Sequence, residues 1–467
     1  MMLPNSVIPT AGSGLTHIVD EQFDAIVDRR EVSMVFQPVV NLRSGETVGL
    51  EALVRGPAGT PLESPHALFA AAARRGRTAE LDWVCRAAAF EAVLDAEIPP
   101  AISLFINTEP ESHAQACPPD LLATIARGES LLRVFVEVND RALTSDPGGL
   151  LAAVDRARSA GWGIGIDDVG SSRASVAIVP VVGADVAKLD LQLLRRTGEY
   201  DSSAITVSLL RHLELTGATL LVEGIQNEAD ARWALSLGAA HGQGVHLGEP
   251  GPLSEAYPFP RSAVPIVTQG ATERGAASPF DFVADLPRRR VDRANLNALG
   301  RMFAGSRHAP GASLAILACS GRDAETSSTL PDQFPGLAVD SPLRVVFGTG
   351  LPPEPRPGWR GVKVRPDDPL ANQRFLVILG EDRTVAVLSE HDPQAPDLTS
   401  DVVWTQDPSR VYAIARHLIR RLPRTDGPNE AVSASAAGCE TVQQPAEDAD
   451  PHAEERHSGW WPRRRQG

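Results

Sequence analysis

The sequence predicts an α/β protein: a modified (β/α)8 TIM-like barrel with one antiparallel strand, followed by a smaller αβ accessory domain. Three observations carry this. Eight short apolar runs alternate with amphipathic or alanine-rich segments between Glu21 and Pro250. The runs are continuous rather than alternating, which fits strands buried on both faces. The first two are separated only by NLRSGE, too short for a helical crossover, so they form an antiparallel hairpin and the barrel is irregular.

In chain order the strand runs are VSMVFQPVV, TVGLEAL, ISLFIN, LLRVFVE, WGIGID, ADVAKLD, ATLLVE and the weaker AHGQGVHL. Helices are expected over Pro65–Arg75, Ala79–Ala96, Leu121–Arg127, Gly148–Ala160, Asp201–Leu215 and Ala229–Leu237. Residues 1–20 read as a disordered N-terminus and 21–250 as the barrel. Residues 251–278, rich in Pro, Gly and Ala and without periodicity, read as a linker. Residues 279–423 form the second domain, with strand runs SLAILAC, LRVVF, FLVILG and TVAVLS. Its last helix starts at Asp407-Pro408 and repeats Val411, Ile414, Ala415, Leu418, Ile419 and Leu422 at helical spacing. Residues 424–467 are acidic and poor in apolar residues until WWPRRRQG, and read as a disordered tail.

Composition narrows the function. A formal net charge of -15 over 467 residues argues against non-specific DNA binding, because a polyanion is repelled on average. A nucleotide ligand is still allowed, since a local metal site reverses the sign of the field. The four cysteines are scattered without CxxC spacing, which points away from structural zinc or disulfides and towards a reducing cytoplasm. The N-terminus lacks the charged and apolar regions of a signal peptide, and no apolar run is long enough to cross a bilayer.

Polar residues at the ends of the expected strands carry the chemistry. Glu51 follows TVGL, Asn107 follows LFI, and Glu137 follows RVFV. Asp167 and Asp168 follow GIGI, Lys188 follows ADVA, and Glu223 follows TLLV. Parallel barrel strands point one way, so these residues meet at one mouth. Carboxylates brought together there repel, and divalent cations are their natural compensation. An all-oxygen donor set favours Mg²⁺ or Mn²⁺ over zinc. Two ions sharing an aspartate suit phosphodiester hydrolysis, with Asp167 and Asp168 as bridging and single-ion ligands and Lys188 near the water. Taken singly, each residue has a plainer reading: Asp167-Asp168 with Gly170 after it as a turn or helix cap, a strand-end Glu as rim, Lys188 as snorkelling. The same offset repeated from strand to strand favours the site.

These residues, in order, resemble the EAL domain family of cyclic di-GMP phosphodiesterases. FQPVVNLRSGETVGLEALVR contains Glu51-Ala52-Leu53 and Arg55. IN, VEVND, GIDDVGSS, AKLD, VEGI and GQG follow in the family's order between Glu21 and Pro250. The resemblance implies a modified barrel that hydrolyses cyclic di-GMP to the linear dinucleotide with two Mg²⁺ or Mn²⁺ ions. It implies Glu51, Asn107, Glu137 and Asp167 on one ion, Asp167 and Asp168 on the second, and Lys188 on the attacking water. Glu223 and Asp190 would support the second ion or its waters, and Gln37, Arg55 and Gln243 would contact substrate. It also implies a homodimer. The sequence departs from the family in DDVGSS (Val169 and Ser172), in EGIQ (Gln226) and in EVND (Asp140), which bears on the metal loop and the turnover rate.

The region VKVRPDDPLANQRFLVILGEDRTVAVLSEHD resembles the DICT sensory domain through its Asp368-Pro369-Leu370 turn and apolar strand, which implies an unknown signal. Three functions compete: a metal-dependent phosphodiesterase regulated by the C-terminal domain, a non-catalytic cyclic di-GMP receptor, and aldolase-like chemistry at Lys188. The neighbouring carboxylates would raise that lysine's pKa, the wrong direction for a Schiff-base amine.

Overall fold

A computed structural model describes residues 11–109, 112, 115–139, 145–167, 169, 179–196, 199–253, 257–267, 276–304, 314–319, 341, 343–380, 384–391 and 399–423. The expected Asp168 and Asp140, most of the DDVGSS loop and the WWPRRR run lie outside these residues. Among the described residues no helix is long and apolar enough to cross a membrane.

Helix α1 (Ala11–Arg29) opens the chain, so part of the segment expected to be disordered is helical. A closed eight-stranded barrel follows. Strands β1 (Ser33–Asn41) and β2 (Thr47–Arg55) form the expected hairpin, and β1 is also antiparallel to β8 (His241–Gly242). Between β2 and β8 the neighbours are parallel: β3 (Ser103–Asn107), β4 (Val134–Asn139), β5 (Gly163–Asp167), β6 (Val186–Asp190) and β7 (Thr219–Glu223). The fold class read from the sequence is the one observed.

The connecting helices are α2 (Pro65–Arg75), α3 (Thr78–Asp95), α4 (Leu122–Leu131), α5 (Pro147–Ser159), α6 (Val179–Val182), α7 (Leu191–Arg196), α8 (Glu199–Thr216) and α9 (Glu228–Ser236). α2 shows how local chemistry sets the bounds. Ser64 accepts from the Ala67 amide at its start, Pro65 needs no amide partner there, and Gly76 closes it at φ 66.

The barrel interior has two layers. At the foot, Val39, Val48, Phe105, Phe135, Val186 and Leu221 fill the lumen. The Phe105 and Phe135 rings stack with centroids 4.8 Å apart. A Cβ at residue 163 would stand 2.4 Å from the Phe135 ring, so Gly163 makes room for it. Burying each ring contributes roughly 1.5–3 kcal/mol. Above this layer stand the polar side chains of the site.

Part of the expected linker closes the foot. Val264 is buried among the lumen residues, and its carbonyl accepts from Arg133 at 2.6 Å. The Val267 amide donates to Asp185 at 2.7 Å, and the same buried carboxylate accepts from the Ile164 amide and from Arg158, each at 2.6 Å. Residues 257–267 are thus a strap, anchored by buried Val264, by Tyr257 and Ile266 packed partly against the core and by main-chain groups, too irregular a set for any periodicity to announce it.

A second, mixed sheet has the order β12-β11-β10-β13-β14-β15-β9. Its strands are β9 (Arg289–Val291), β10 (Leu314–Cys319), β11 (Leu343–Gly348), β12 (Arg360–Lys363), β13 (Gln373–Gly380), β14 (Thr384–His391) and β15 (Ser400–Thr405). Helix α10 (Arg293–Ala304) covers one face through Leu296 and Phe303. Helix α11 (Pro408–Ile419) packs on the other, on β13 and β14, and starts where Asp407 accepts from the Ser409 amide. The Asp368-Pro369-Leu370 turn is a short 3-10 helix: Asp368 accepts from the Leu370 amide at 2.9 Å and pairs with Arg421 at 2.8 Å.

Candidate active site

Strand register sets the site. Glu51 lies opposite Gln37 on β1, Asn107 opposite Glu137, and Asp190 opposite Glu223. Inward-pointing positions near the C-terminal ends of successive strands therefore surround one volume at the top of the lumen.

Lys188 occupies the middle. Its ammonium stands 2.6 Å from Glu223, 2.8 Å from Glu137, 3.1 Å from Glu51 and 3.5 Å from Asp167. Burial works hardest against that charge, yet the pull of Glu137, Glu223, Glu51 and Asp167 holds the pKa well above the ordinary lysine value. The four acids do not share the benefit equally. Burial pushes Glu51 up, but Lys188 and hydrogen bonds from Gln243, Lys188 and Asn107 bring its pKa below the usual value. Burial, then Glu51, drives Glu137 well above it. Glu223 is pushed up to about 8 by burial, with Asp167 and Glu51 adding to the shift and Lys188 opposing it.

Glu137 is the discriminating group. It is 1 % exposed, and neither of its oxygens accepts a well-formed hydrogen bond despite the nearby ammonium. Among the described residues no three acidic, histidine or cysteine side chains are drawn tightly enough together to cage an ion; the acids converge on Lys188 instead. A buried carboxylate whose one cationic neighbour, Lys188, is shared with three other acids, in an all-oxygen set with net negative charge, is the chemistry that fits a hard divalent cation.

The other expected residues have definite partners. The Gln243 amide nitrogen donates to Glu51 at 2.7 Å and to the Gln37 oxygen at 2.9 Å. Gln37 donates in turn to the Gly248 carbonyl at 3.1 Å. Asn107 donates to Glu51 at 3.2 Å, which leaves its amide oxygen as the atom able to meet a cation. Arg55, at the end of β2, bonds the Val54 carbonyl at 2.8 Å. Asp190 accepts from the Gln192 amide at 2.7 Å and so caps α7. Gln226, which stands where the family has an acid, is exposed, and its amide is held by Asp230.

Sequence reading missed a neighbouring cleft. It lies between the outer wall of β2 and β3 and helices α2 and α3, has a volume of about 270 Å³, and is lined among others by Met34, Phe69, Asp82, Arg86, Asn107 and Glu109. Asp82 and Arg86 pair at 2.9 Å, both almost wholly buried, and Asp82 also accepts from the Glu109 amide. Burial, opposed by Arg86, raises Asp82 above the usual carboxylate range. The signal available in the sequence was two opposite charges four residues apart among positions of the helix that are otherwise apolar and buried. The cleft touches the acidic site through Asn107, and its size suits one planar base better than a whole dinucleotide.

Comparison with known proteins follows this geometry. The model of the EAL domain family matches residues 20–250. The probable cyclic di-GMP phosphodiesterase PdeB of Escherichia coli K12 is 25% identical over 231 residues, 47% of this chain and 42% of PdeB. An uncharacterized protein of Mycobacterium bovis is 28% identical over 233 residues, 48% of this chain and 37% of its own length. The chain thus spans less than half the length of these curated relatives. The Pseudomonas aeruginosa MucR phosphodiesterase in complex with cyclic di-GMP is a solved structure with 21% identity and a TM-score of 0.43, covering 50% of this chain and 98% of that one. Motif order, strand-end chemistry and family match coincide on one segment: residues 20–250 of the chain are an EAL domain.

Proposed function

We propose that this EAL domain hydrolyses cyclic di-GMP to linear pGpG with two divalent cations, Mg²⁺ or Mn²⁺. The observation that carries the reading is Glu137, buried with Glu51, Asp167 and Glu223 around a single ammonium, Lys188, that stands 2.6 to 3.5 Å from all four acids. Glu51, Asn107, Glu137 and Asp167 would hold one ion, and Asp167 with Asp168 the other, with Asp190 and Glu223 supporting it. When bound, the ions lower the pKa of a water and neutralise phosphate oxygens.

The chain's own residues supply the rest. Lys188, kept charged by its acids, orients the water that adds to phosphorus and stabilises the charge that develops there. The bond from phosphorus to the 3′ oxygen breaks, and that oxygen takes up a proton. Arg55 matches the geometry of the phosphate, and the cleft beside Asn107 takes one base. The raised pKa of Lys188 argues against Schiff-base chemistry. A homodimer, a DICT-like sensory role for residues 279–423 and control of turnover by that region are part of the same proposal.

The test is conversion of cyclic di-GMP by the purified chain with Mg²⁺, with Mn²⁺ and with EDTA. Metal-dependent linear product, lost in Glu51→Ala, is the expected result. Saturable binding without product under every metal condition would establish a receptor instead, the outcome to which the altered DDVGSS loop points.

A further inference from the structure

The second sheet meets the barrel on the helices that bracket β5. α11 packs on β13 and β14 with one side and on α5 and α6 with the other. Val411, Ile414, Leu418 and Ile419 are wholly buried, so this helix is a layer shared by sheet and barrel. Just beyond its end, Arg420 forks onto Asp155 of α5 with two hydrogen bonds of 2.8 Å. Arg360 of β12 donates to the Ser145 carbonyl, at the entry to α5, at 3.0 Å. In the first turn of α5, a Cβ at Gly148 would stand 2.8 Å from the Leu422 carbonyl oxygen, so the close fit depends on glycine. Arg416 is buried where its charge reaches His212 of α8.

The position of this contact in the chain gives it meaning. α5 runs from β4, which carries Glu137, into β5, which carries Asp167. α6 leads into β6, which carries Lys188. Interiors this closely packed transmit displacement rather than absorb it. A shift of α5 or α6 therefore moves two acids and the ammonium relative to Glu51, which sits on the far hairpin.

We infer that α11 is a positioning element of the acidic site: through its grip on α5 and α6, the second sheet sets how Glu137, Asp167 and Lys188 stand against Glu51. The inference rests on the hydrolase reading and adds the route by which the sheet reaches the site. Whatever moves α11 changes metal affinity first and turnover with it, and the sheet belongs to the catalytic unit.

The test uses the full chain and three variants. Gly148→Leu wedges α5 away from Leu422. The double change Arg360→Ala, Arg420→Ala removes the polar grips without adding bulk. Arg74→Ala breaks a pair with Asp20 at α2, beside β2, and serves as control. Each is read by hydrogen exchange of residues 147–159 and 179–190, by calorimetric titration with Mn²⁺, and by hydrolysis of cyclic di-GMP. The wedge is expected to speed exchange in both segments and to weaken Mn²⁺ binding about tenfold, the double alanine variant roughly two- to fivefold, and the control neither. Faster exchange with Mn²⁺ affinity and turnover unchanged from wild type overturns the inference. Should the wedge yield no folded protein, the double variant decides on the same readouts. A wild-type chain that binds no metal and forms no product fails the hydrolase reading itself, which is a separate result.

Discussion

Glu51 is 6 % exposed and would lose its charge to burial if nothing met it, yet three side chains donate to it: Lys188, Asn107 and Gln243. Gln243 is the one whose other bond leads away from the site, to Gln37 and on to the Gly248 carbonyl. Its amide nitrogen is committed to orienting Glu51, a ligand in the proposed metal site, which supports a positioning role beside or in place of the substrate contact expected from sequence. Gln243→Leu should then weaken Mn²⁺ binding roughly 10–100-fold, the usual cost of losing such a support. KM for cyclic di-GMP should stay near wild type; a large rise in KM at saturating metal, with metal affinity intact, would restore the substrate-contact reading. At this scale the sequence was legible wherever strand-end position fixes placement, as for Glu51, Asn107, Glu137 and Lys188, which meet at the top of the lumen. It was not legible where the role depends on which way an amide turns, or where a buried pair such as Asp82 and Arg86 hides in a helix.

Local chemistry decides which elements can be read in advance. α2 is bounded by Ser64, Pro65 and Gly76, each with its own backbone reason, and the expected and observed ranges coincide. β9 and β12 were missed because each is a short edge strand carrying two basic residues, the composition that protects an edge from pairing with another chain. The strap of residues 257–267 was missed because its hold on the barrel is one fully buried side chain, two partly buried ones without periodic spacing and a few main-chain bonds. That economy makes it testable. Val264→Asp would put an unpaired carboxylate under the Phe105 and Phe135 rings, a change expected to destabilise the fold by about 3–5 kcal/mol or to expel the strap. Chemical denaturation followed by tryptophan fluorescence measures the loss, while Val264→Ala should cost only about 1–2 kcal/mol. If Val264→Asp is as stable as wild type, the strap does not close the barrel in solution.

For the molecule as a whole, barrel and second sheet share a core, since Val154 and Val181 fall in the same buried cluster as Ile414, Phe375 and Val377. A shared core implies that the two parts unfold together, and a buried histidine at their junction offers a way to see it. His212 of α8 is 3 % exposed, and neither ring nitrogen has a hydrogen-bond partner. Burial, then the Arg416 charge facing it from α11, lowers its pKa to about 4. The unfolded chain binds this proton near the ordinary value of about 6.5, so between that pH and 4 the unfolded state carries more protons and stability falls with pH. The loss from this one residue should reach about 3 kcal/mol once the pH is at 4, and be absent above pH 7. His241 of β8, lowered to about 4 by burial, adds to the slope from inside the barrel. Urea midpoints at pH 7.5, 6 and 5 should show a single transition for barrel and sheet together, with the loss from the two histidines opposed by Glu223 and Glu137, whose raised pKa values favour the folded state as pH falls. His212→Leu should raise the midpoint at pH 5 relative to wild type while leaving the midpoint at pH 7.5 close to it. Two separate transitions, with only the barrel responding to His212→Leu, would mean that α11 rests on the barrel without being folded into it, and the route from sheet to acidic site would lose its physical basis.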